Sequence, residues 1–385
     1  MTKLSVIVLV LSLIGHSGFS QLGPEGLFYL GQTPPGVIPK RFELSVNPGS
    51  FAAERIAISN DGNEIYYSEV KSYYPAKGDT IKYYKYTNNK WTGPFNIFSG
   101  FLAPVLSITG DTIYFQSAGA NYESYMAVKC KSGWSLPERV FKNLNSAHYF
   151  QTTNNGNHYI SSKPRNSVGN SDWSKVVISA TDTIGTSLGR PLNTEWDNLD
   201  FYIARDESYI LLTTITGLAV SYPKPGGGWT SPRNLGKDIN FGLASWGPYV
   251  TPDNKYLFYT TGTKPDYSDT GIYWVRVDHL IDSLEHTNNV PYLQRTLENQ
   301  TGSAGHLIDF TIPRDSFLDD DGDTMFTYSA MLNTGEALPS WLSFDSVKGR
   351  FSGVSVEPAE YTILLIADDK HNASLPGLFK LTIRQ

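Results

Sequence analysis

The sequence predicts an all-β protein in which a β-propeller built from repeats is followed by a β-sandwich. Three observations predict this fold. Aromatic residues make up 13% of the chain, with 24 Tyr and 19 Phe, and Gly and Pro are frequent; Tyr and Phe favour strands, whereas Gly and Pro mark turns. A strand–turn–strand pattern recurs at a nearly constant interval through most of the chain. Near Pro291 it gives way to short alternating apolar and polar runs.

The bulk composition sets limits on the class of protein. Hydrophobic residues are 40% and charged residues 18% of the 385 residues, which is a globular composition. The formal net charge is −6. A nucleic-acid-binding protein would need a basic stripe, so this charge argues against nucleic acid as a partner.

The first 20 residues have the pattern of a cleavable signal peptide. Lys3 is followed by an apolar run from Leu4 to Ile14, and small residues precede Gln21. We therefore expect residues 1–20 to be removed and the protein to be extracellular or on the cell surface, with the periplasm as an alternative. No later stretch reaches 18 apolar residues, so we expect no transmembrane span, and peripheral surface association stays open. The single cysteine, Cys130, is predicted to be a buried strand residue.

The repeat has two elements. The first is a hairpin whose turn positions are spaced by 49, 45, 51 and 47 residues: Asp61, Gly110, Asn155, Asp206 and Asp253. The second is a short strand about 30 residues after each turn, beginning at Trp91, Trp134, Gly185 and Trp229. All four segments contain Pro a few residues in, and Pro suits the outer edge strand of a propeller blade.

The fifth repeat lacks its outer strand, and a matching segment lies at the other end of the chain, at 34–42. The simplest explanation is that the N-terminal strand completes the last blade and closes the ring, which removes an exposed sheet edge. This predicts five blades, or six if residues 22–33 or 278–290 contain further strands.

The turns at 59–62 and 251–254, which read Ser-Asn-Asp-Gly and Thr-Pro-Asp-Asn, resemble the WD40-like PD40 repeats of TolB-type propellers. The resemblance covers about residues 34–285 and places the propeller domain at 21–290. It implies a binding platform without naming a ligand, because fold does not fix function.

Residues 291–385 contain about seven short strands separated by turn signals, as expected for an antiparallel sandwich. The acidic segment from Phe317, the Tyr328–Ala330 strand and the segments 338–344, 349–353 and 361–368 resemble the dystroglycan-type cadherin-like domain. This family of Ig/cadherin-like sandwiches is associated with calcium, so the resemblance implies Ca²⁺ as a cofactor.

The residues of the acidic loop point to a cation on their own. Four aspartates among the five residues 319–323 repel one another unless a cation screens them, and Ca²⁺ takes six to eight oxygen ligands. The spacing does not fit an EF-hand. The alternative is a solvated acidic turn. The predicted ligands are Asp319, Asp321, Asp323 and Asp368, which match the family's motif, with Glu298 and Asn299.

Aligning the repeats on their turns predicts which residues begin the innermost strands and line one mouth of the axial channel. The polar and aromatic members of this ring are Glu54, Arg55, His148, Tyr149, Asp200 and Trp246. Such a ring suits a polar ligand, with aromatic stacking for a sugar. The alternative is that these side chains satisfy one another's hydrogen bonds.

The sequence indicates no catalytic residues. The Gly185–Gly189 segment matches the G-x-S-x-G nucleophile elbow, but it falls on a predicted outer strand with no helix after it, so catalysis at Ser187 is not expected. We therefore expect a non-enzymatic binding protein whose propeller face recognises a protein or a glycan. One alternative is a glycosidase that uses Glu54 and Asp200 as its carboxylate pair. Another is a TolB-like partner of a periplasmic envelope complex.

Overall fold

The structure is a computed structural model. It describes residues 28–71, 79–117, 122–141, 144, 146–179, 182–321, 325–371 and 374–385. Within these ranges no helix is long and apolar enough to cross a membrane. The predicted signal peptide and Asp323 lie outside the described residues.

Residues 40–276 form five antiparallel sheets in chain order. A short strand, β1 (Lys40–Arg41), precedes them. The first sheet holds β2 (Phe51–Ile58), β3 (Glu64–Val70), β4 (Thr80–Thr87) and β5 (Lys90–Ser99). The second holds β6 (Phe101–Leu106), β7 (Thr112–Ser117), β8 (Ser124–Cys130), β9 (Gly133–Trp134) and β10 (Glu138–Arg139). The third holds β11 (His148–Thr152), β12 (His158–Ser162), β13 (Asp172–Ile178) and β14 (Thr183–Ser187). The fourth holds β15 (Phe201–Ile203), β16 (Ile210–Thr214), β17 (Gly217–Ser221) and β18 (Arg233–Asn234). The fifth holds β19 (Ala244–Val250), β20 (Tyr256–Gly262) and β21 (Gly271–Arg276), joined by β1.

The repeated turns link the first and second strand of each sheet, and hydroxyl side chains shape several of them. In the first sheet Ser59 Oγ donates to Asp61 at 2.6 Å and accepts from the backbone N–H of Glu64 at 2.8 Å. Thr251 makes the same pair of bonds with Asp253, at 2.6 Å, and with the N–H of Tyr256, at 3.1 Å. A short polar side chain that bonds nearby backbone fixes a turn locally, which is why this part of the repeat is readable in the sequence.

The N-terminal strand closes the ring, as the sequence predicts. Arg41 of β1 pairs with Tyr273 of β21 in an antiparallel ladder. Phe42 follows β1 and is buried, with ring centroids 5.2 Å from those of Phe258 and Trp274. The edge of the fifth sheet is thus covered by residues more than 200 positions earlier in the chain.

The segments considered for a sixth blade have other structures where they are described. A 3₁₀ turn spans Tyr29–Gly31, and helix α1 spans Asp278–Glu285. The carbonyl of Ile281 in α1 accepts a hydrogen bond from Tyr222 Oη at 2.5 Å, which ties the helix to the fourth sheet.

The prediction of a buried Cys130 is wrong, because its thiol is exposed at the end of β8. The neighbouring strand residues Val128 and Lys129 are exposed as well. The apolar pattern of β8 does not continue to its last residues, so strand position alone does not imply burial there.

The C-terminal residues form a sandwich with its own core. One sheet has the order β23 (Gln300–Ser303), β30 (Ser374–Arg384), β29 (Ala359–Asp368) and β26 (Thr327–Leu332). The facing sheet has the order β24 (Leu307–Thr311), β28 (Arg350–Val354) and β27 (Leu342–Asp345). A small ladder joins β22 (Tyr292–Leu293) to β25 (Phe317–Leu318). Phe351, Leu365 and Phe379 are buried between the sheets. The chain is therefore all-β, with a propeller followed by an Ig-like sandwich, and this confirms the predicted fold class.

Candidate functional site

A recurring irregularity shapes the innermost strands. In four of the five sheets the ladder between the first and second strands shifts register near the start of the first strand. A residue with positive φ lies at each shift: Glu54 (66°), Ala103 (56°), Tyr149 (53°) and Gly247 (61°). A bulge re-aims the side chains beside it. Four of the five positions that the repeat alignment assigns to the channel mouth are therefore places where the strand departs from regular geometry.

The structure brings the six predicted channel residues together. Tyr149 Oη donates to Glu54 Oε2 at 2.5 Å, and the guanidinium carbon of Arg55 lies 4.1 Å from the centre of the Tyr149 ring. His148 Nε2 lies 2.7 Å from Asp200 Oδ1. None of the six side chains belongs to a residue more than 8% exposed. The cluster is a buried polar network rather than an open, solvent-lined ring.

Backbone groups complete the network. The N–H of Gly247 donates to Asp200 Oδ2 at 3.0 Å. Arg55 Nη2 donates to the carbonyl of Phe201, which also accepts from Gln151 Nε2 at 3.2 Å. These bonds connect the first, third, fourth and fifth sheets around the axis.

Burial sets the protonation of the two carboxyl groups. It raises the pKa of Glu54 to about 8, and the charge of Asp200 adds to this rise while hydrogen bonds from Tyr149 and Trp246 oppose it. Burial also raises the pKa of Asp200 to about 6, against the Gly247 N–H bond and the charge of Arg55. Near neutral pH, Glu54 therefore holds a proton and Asp200 is ionised.

The basic residues of the network, His148 and Arg55, match a protonated Glu54 and an ionised Asp200. Burial, with the charge of Arg55, lowers the pKa of His148 to about 3, and burial lowers the pKa of Arg55 to about 10. His148 is therefore neutral, and because an ionised carboxylate only accepts, its Nε2 carries the proton that faces Asp200. One guanidinium and one carboxylate balance in charge at the centre of the propeller.

At the opposite end of the propeller axis, hydrogen bonds between the repeated turns link the sheets to one another. Arg205, in the turn of the fourth sheet, donates from Nη1 to Asn60 Oδ1 in the turn of the first sheet at 2.6 Å. Asn60 Nδ2 donates to the carbonyl of Ile108 at 2.7 Å, and the carbonyl of Arg205 accepts from the N–H of Asn154 at 2.7 Å. Four of the five turns are thereby joined to one another.

This arrangement limits what the carboxyl pair does chemically. A glycosidase needs one protonated and one ionised carboxyl flanking the scissile bond. Glu54 and Asp200 have those protonation states, but both are buried, and Tyr149 bonds to Glu54 beside them. A sugar would have to displace Tyr149 to reach Glu54. Ser187 is also engaged, since its Oγ donates to Asp172 at 2.5 Å on the outer strand β14.

The predicted calcium ligands within the described ranges have protein partners. Asp319 Oδ1 accepts from the N–H of Asp321 at 2.7 Å, and Asp321 in turn accepts from Asn289. Asp368 accepts from Ser374 Oγ.

Glu298 and Asn299 also accept hydrogen bonds, Asn299 through its side chain and Glu298 through its backbone carbonyl. Asn299 Oδ1 accepts from the N–H of Lys380 at 2.7 Å, and the backbone carbonyl of Glu298 accepts from Gln300 Nε2 at 3.1 Å. No group of three or more His, Cys, Asp or Glu within the described ranges is arranged to hold a metal ion. The described members of the predicted set therefore do not form a metal site by themselves. Calcium binding stays a prediction.

Sequence reasoning missed the residues that meet the acidic loop. Lys224 Nζ lies 2.9 Å from Asp320 Oδ1, and the N–H of Ser231 donates to Asp320 Oδ2 at 2.9 Å. Asp320 belongs to the acidic run but was not among the predicted ligands, and its partners lie about 90 residues earlier on the propeller. No local pattern signals a pair so distant in sequence.

Comparisons with known proteins support the Ig-like fold of the C-terminal part. Residues 290–384 match the family model described as a putative Ig domain (He_PIG). No curated protein matches this chain.

Among solved structures, TolB from Acinetobacter baumannii is 15% identical over 57% of this chain and 53% of its own, with a TM-score of 0.38. An oligogalacturonate lyase from Vibrio parahaemolyticus is 10% identical over 62% of this chain and 69% of its own, with a TM-score of 0.35. A prolyl endopeptidase is 9% identical over 91% of this chain and 55% of its own, with a TM-score of 0.39. The chain thus spans about half the length of the TolB structure. These similarities carry no argument about activity.

Proposed function

We propose that this chain is an exported, non-enzymatic binding protein whose propeller presents the ligand-binding face and whose Ig-like domain supports it. The observation that carries this proposal is the closed network around the axis. Glu54 and Asp200 are buried and hydrogen-bonded to Tyr149, His148 and the Gly247 N–H. Carboxyl groups used in this way hold sheets together, which leaves recognition to the exposed surface.

The loop end of the fourth and fifth sheets suits this role. Because neighbouring strands are antiparallel, the connections between sheets and the hairpins between second and third strands lie at the end where the innermost strands begin. Four large apolar side chains in these connections are exposed: Trp196 (61%), Ile215 (83%), Phe241 (40%) and Leu243 (62%). Exposed apolar groups at one end of a molecule favour an interaction surface.

The chemistry of this surface suits a protein or a glycan. Trp196 offers an aromatic face for stacking on a sugar ring or for burial against a protein. The PD40-type resemblance of the turns is compatible with a TolB-like partner in an envelope complex, which is the protein-binding form of this proposal. Nucleic acid is not proposed, given the net charge of −6.

The glycan form of the proposal is tested by affinity electrophoresis of the purified chain through gels containing single polysaccharides, with Trp196→Ala and Leu243→Ala as variants. We expect retardation by one polysaccharide class that both variants reduce. The matched control is Val347→Ala, which removes a side chain 79% exposed on the Ig-like domain.

The protein form is tested by a photo-crosslinking amino acid at position 196 in the producing cells, compared with the same group at position 347. We expect a discrete adduct from position 196 only. Absence of both retardation and adducts would contradict the proposal.

The glycosidase alternative has its own test. Chromogenic glycosides are incubated with the native chain and with Asp200→Asn. We expect no turnover above background from either protein. Turnover that the substitution abolishes would replace the binding proposal with the enzymatic one.

Export is part of the proposal and rests on the pattern of residues 1–20. N-terminal sequencing of the protein recovered from the producing cells should begin at Gln21. A chain that retains Met1 or residues 2–20 would contradict export through this signal.

A further inference from the structure

We propose that the acidic segment Asp319–Asp321 is an interdomain latch that fixes the Ig-like domain against the fourth sheet of the propeller. The segment follows β25, and one of its three carboxylates contacts the propeller while a second contacts the stretch that joins the two domains. The residues that receive them lie on the hairpin between β17 and β18 and on the stretch that joins the two domains. Each of the three aspartates has a different task.

Asp320 makes the direct contact with the propeller. Its Oδ1 lies 2.9 Å from Lys224 Nζ, and its Oδ2 accepts from the backbone N–H of Ser231 at 2.9 Å. The Asp320 side chain is only 7% exposed, and that of Lys224 is 31% exposed. Lys224 Nζ also lies 5.9 Å from the centre of the Tyr292 ring on the Ig-like side. A carboxylate that accepts from both a cation and an N–H is held more firmly than an exposed ion pair.

Asp321 holds the connecting stretch. Its Oδ1 accepts from Asn289 Nδ2 at 2.7 Å, and its Oδ2 accepts from the N–H of Asn289. Asn289 Oδ1 accepts in turn from Arg233 Nη2 at 2.7 Å, and Arg233 Nη1 donates to the carbonyl of Leu284 at 2.6 Å. Asn289 and Arg233 are both buried. The carboxylate is thereby connected through one amide to a guanidinium on β18.

Asp319 shapes the loop that presents the other two. Its Oδ1 accepts from the N–H of Asp321 at 2.7 Å, the local bond of an Asx turn. Two further contacts flank the latch. Asn288 Nδ2 donates to Asp369 Oδ2 at 2.8 Å, and Thr296 Oγ1 donates to Glu195 Oε1 of the propeller at 2.6 Å.

The latch and a calcium site would compete. Two aspartates and two basic residues, Lys224 and Arg233, balance in charge across this interface, so the loop needs no cation to relieve repulsion between Asp320 and Asp321. A calcium ion bound by Asp321 would need the oxygens that Asn289 now occupies. Calcium bound by Asp321 would therefore weaken the bonds between this loop and Asn289.

Hydrogen exchange of the purified full chain in excess chelator tests the latch. The readouts are the amides of Ser231 and Asn289, which donate to Asp320 and Asp321. We expect both to be protected without calcium. Asp320→Asn and Lys224→Ala should each speed exchange at Ser231 by roughly tenfold or more, and Asp321→Ala should do so at Asn289. Lys380→Ala, which removes an exposed pair with Glu360 on the Ig-like domain, is the matched control and should change neither amide.

Two results would overturn the proposal. Equal exchange at Ser231 in the native chain and in both Asp320→Asn and Lys224→Ala would mean that the carboxylate does not hold the hairpin. Protection of these amides only after calcium is added, and its loss in Asp321→Ala, would assign the loop to a metal instead. A correctly folded variant is verified by unchanged exchange of the β20 amides.

Discussion

At the scale of single residues, the centre of the propeller is a network of buried polar groups that bond across sheets, while Arg55 Nε and Nη1 and His148 Nδ1 have no hydrogen-bond partner among the described residues. Tyr149 and Trp246 donate toward Glu54, His148 and the Gly247 N–H donate toward Asp200, and Arg55 supplies the positive charge. Buried polar groups are stable when their partners are all present, and removing one leaves a costly unpaired atom. We therefore expect the stability of the network to depend on pH and on single substitutions.

Glu54 gives the native chain a distinct pH dependence. Its pKa is about 8 in the folded chain and close to 4.5 when unfolded, so between these values the folded state binds the extra proton and the free energy of unfolding falls as pH rises. From pH 6.5 to pH 8 we expect a loss of about 1–2 kcal/mol. Glu54→Gln, which cannot ionise, should remove this slope. Urea unfolding at four pH values in this range measures it.

The range from pH 6.5 to pH 8 is chosen because other buried groups near the axis titrate at lower pH. Burial raises the pKa of Asp200, and that of Asp79, whose charge also acts on Glu54, to about 6, so their contributions also fall with rising pH but mostly before pH 6.5. His148, with its pKa lowered to about 3, contributes stability that rises between pH 3 and 6.5. A slope in Glu54→Gln equal to the native slope would show that Glu54 is not the group responsible.

A substitution at Gly247 tests how closely the backbones of the innermost strands approach one another at the propeller axis. It has a φ of 61°, and a Cβ there would lie 2.8 Å from the carbonyl carbon of Glu54. Gly110 has a similar φ of 75°, but a Cβ there would meet nothing within 4 Å. Gly110→Ala should therefore cost about 1 kcal/mol from backbone strain alone, and Gly247→Ala at least about 2 kcal/mol more. Thermal unfolding compares them, and equal losses would contradict the close approach.

At the scale of elements, ring closure depends on a short strand and the aromatic residue after it. Phe42 is 2% exposed and packs on Phe258 and Trp274. Phe42→Ala should lower the free energy of unfolding by about 3–5 kcal/mol, because it leaves a cavity where the ring closes. Phe95→Ala on β5, where the side chain is 47% exposed, is the control and should cost much less. Comparable costs would mean that Phe42 does not secure closure.

The elements also show how far the sequence could be interpreted. Turns fixed by local bonds, such as Ser59 with Asp61, and outer strands marked by Trp91 or Trp229 could be predicted because their causes lie within a few residues. The bulge at Glu54 and the burial of the ring around it could not, because they arise from contacts between sheets some 50 to 190 residues apart. The residues predicted at the channel mouth do lie close together, but they form a buried network instead of lining an open channel.

At the scale of the whole molecule, the Ig-like domain has its own core and a polar attachment to the propeller. Residues around Phe351, Leu365 and Phe379 form a cluster separate from those of the propeller. The polar contacts run through Asp320, which was not among the predicted metal ligands, and through Asp321, which was. The role of an acidic loop depends on charged partners that are distant from it in the sequence. Only the folded structure shows which partners those are.

This division predicts how the two domains unfold. A chain of residues 290–385 should fold alone and unfold cooperatively, because its core needs no propeller residue. In the full chain the latch should stabilise that domain by about 1–3 kcal/mol, and for a domain of this size each kcal/mol raises the melting temperature by about 4–8 °C. Calorimetry should thus find the Ig-like transition higher in the full chain than alone. The double variant Asp320→Asn with Asp321→Asn should lower it toward the isolated value, in chelator as well as in calcium, with only the flanking contacts of Asn288 and Thr296 left. An isolated domain that melts at the same temperature as in the full chain would show that the contacts across the interface contribute no stability.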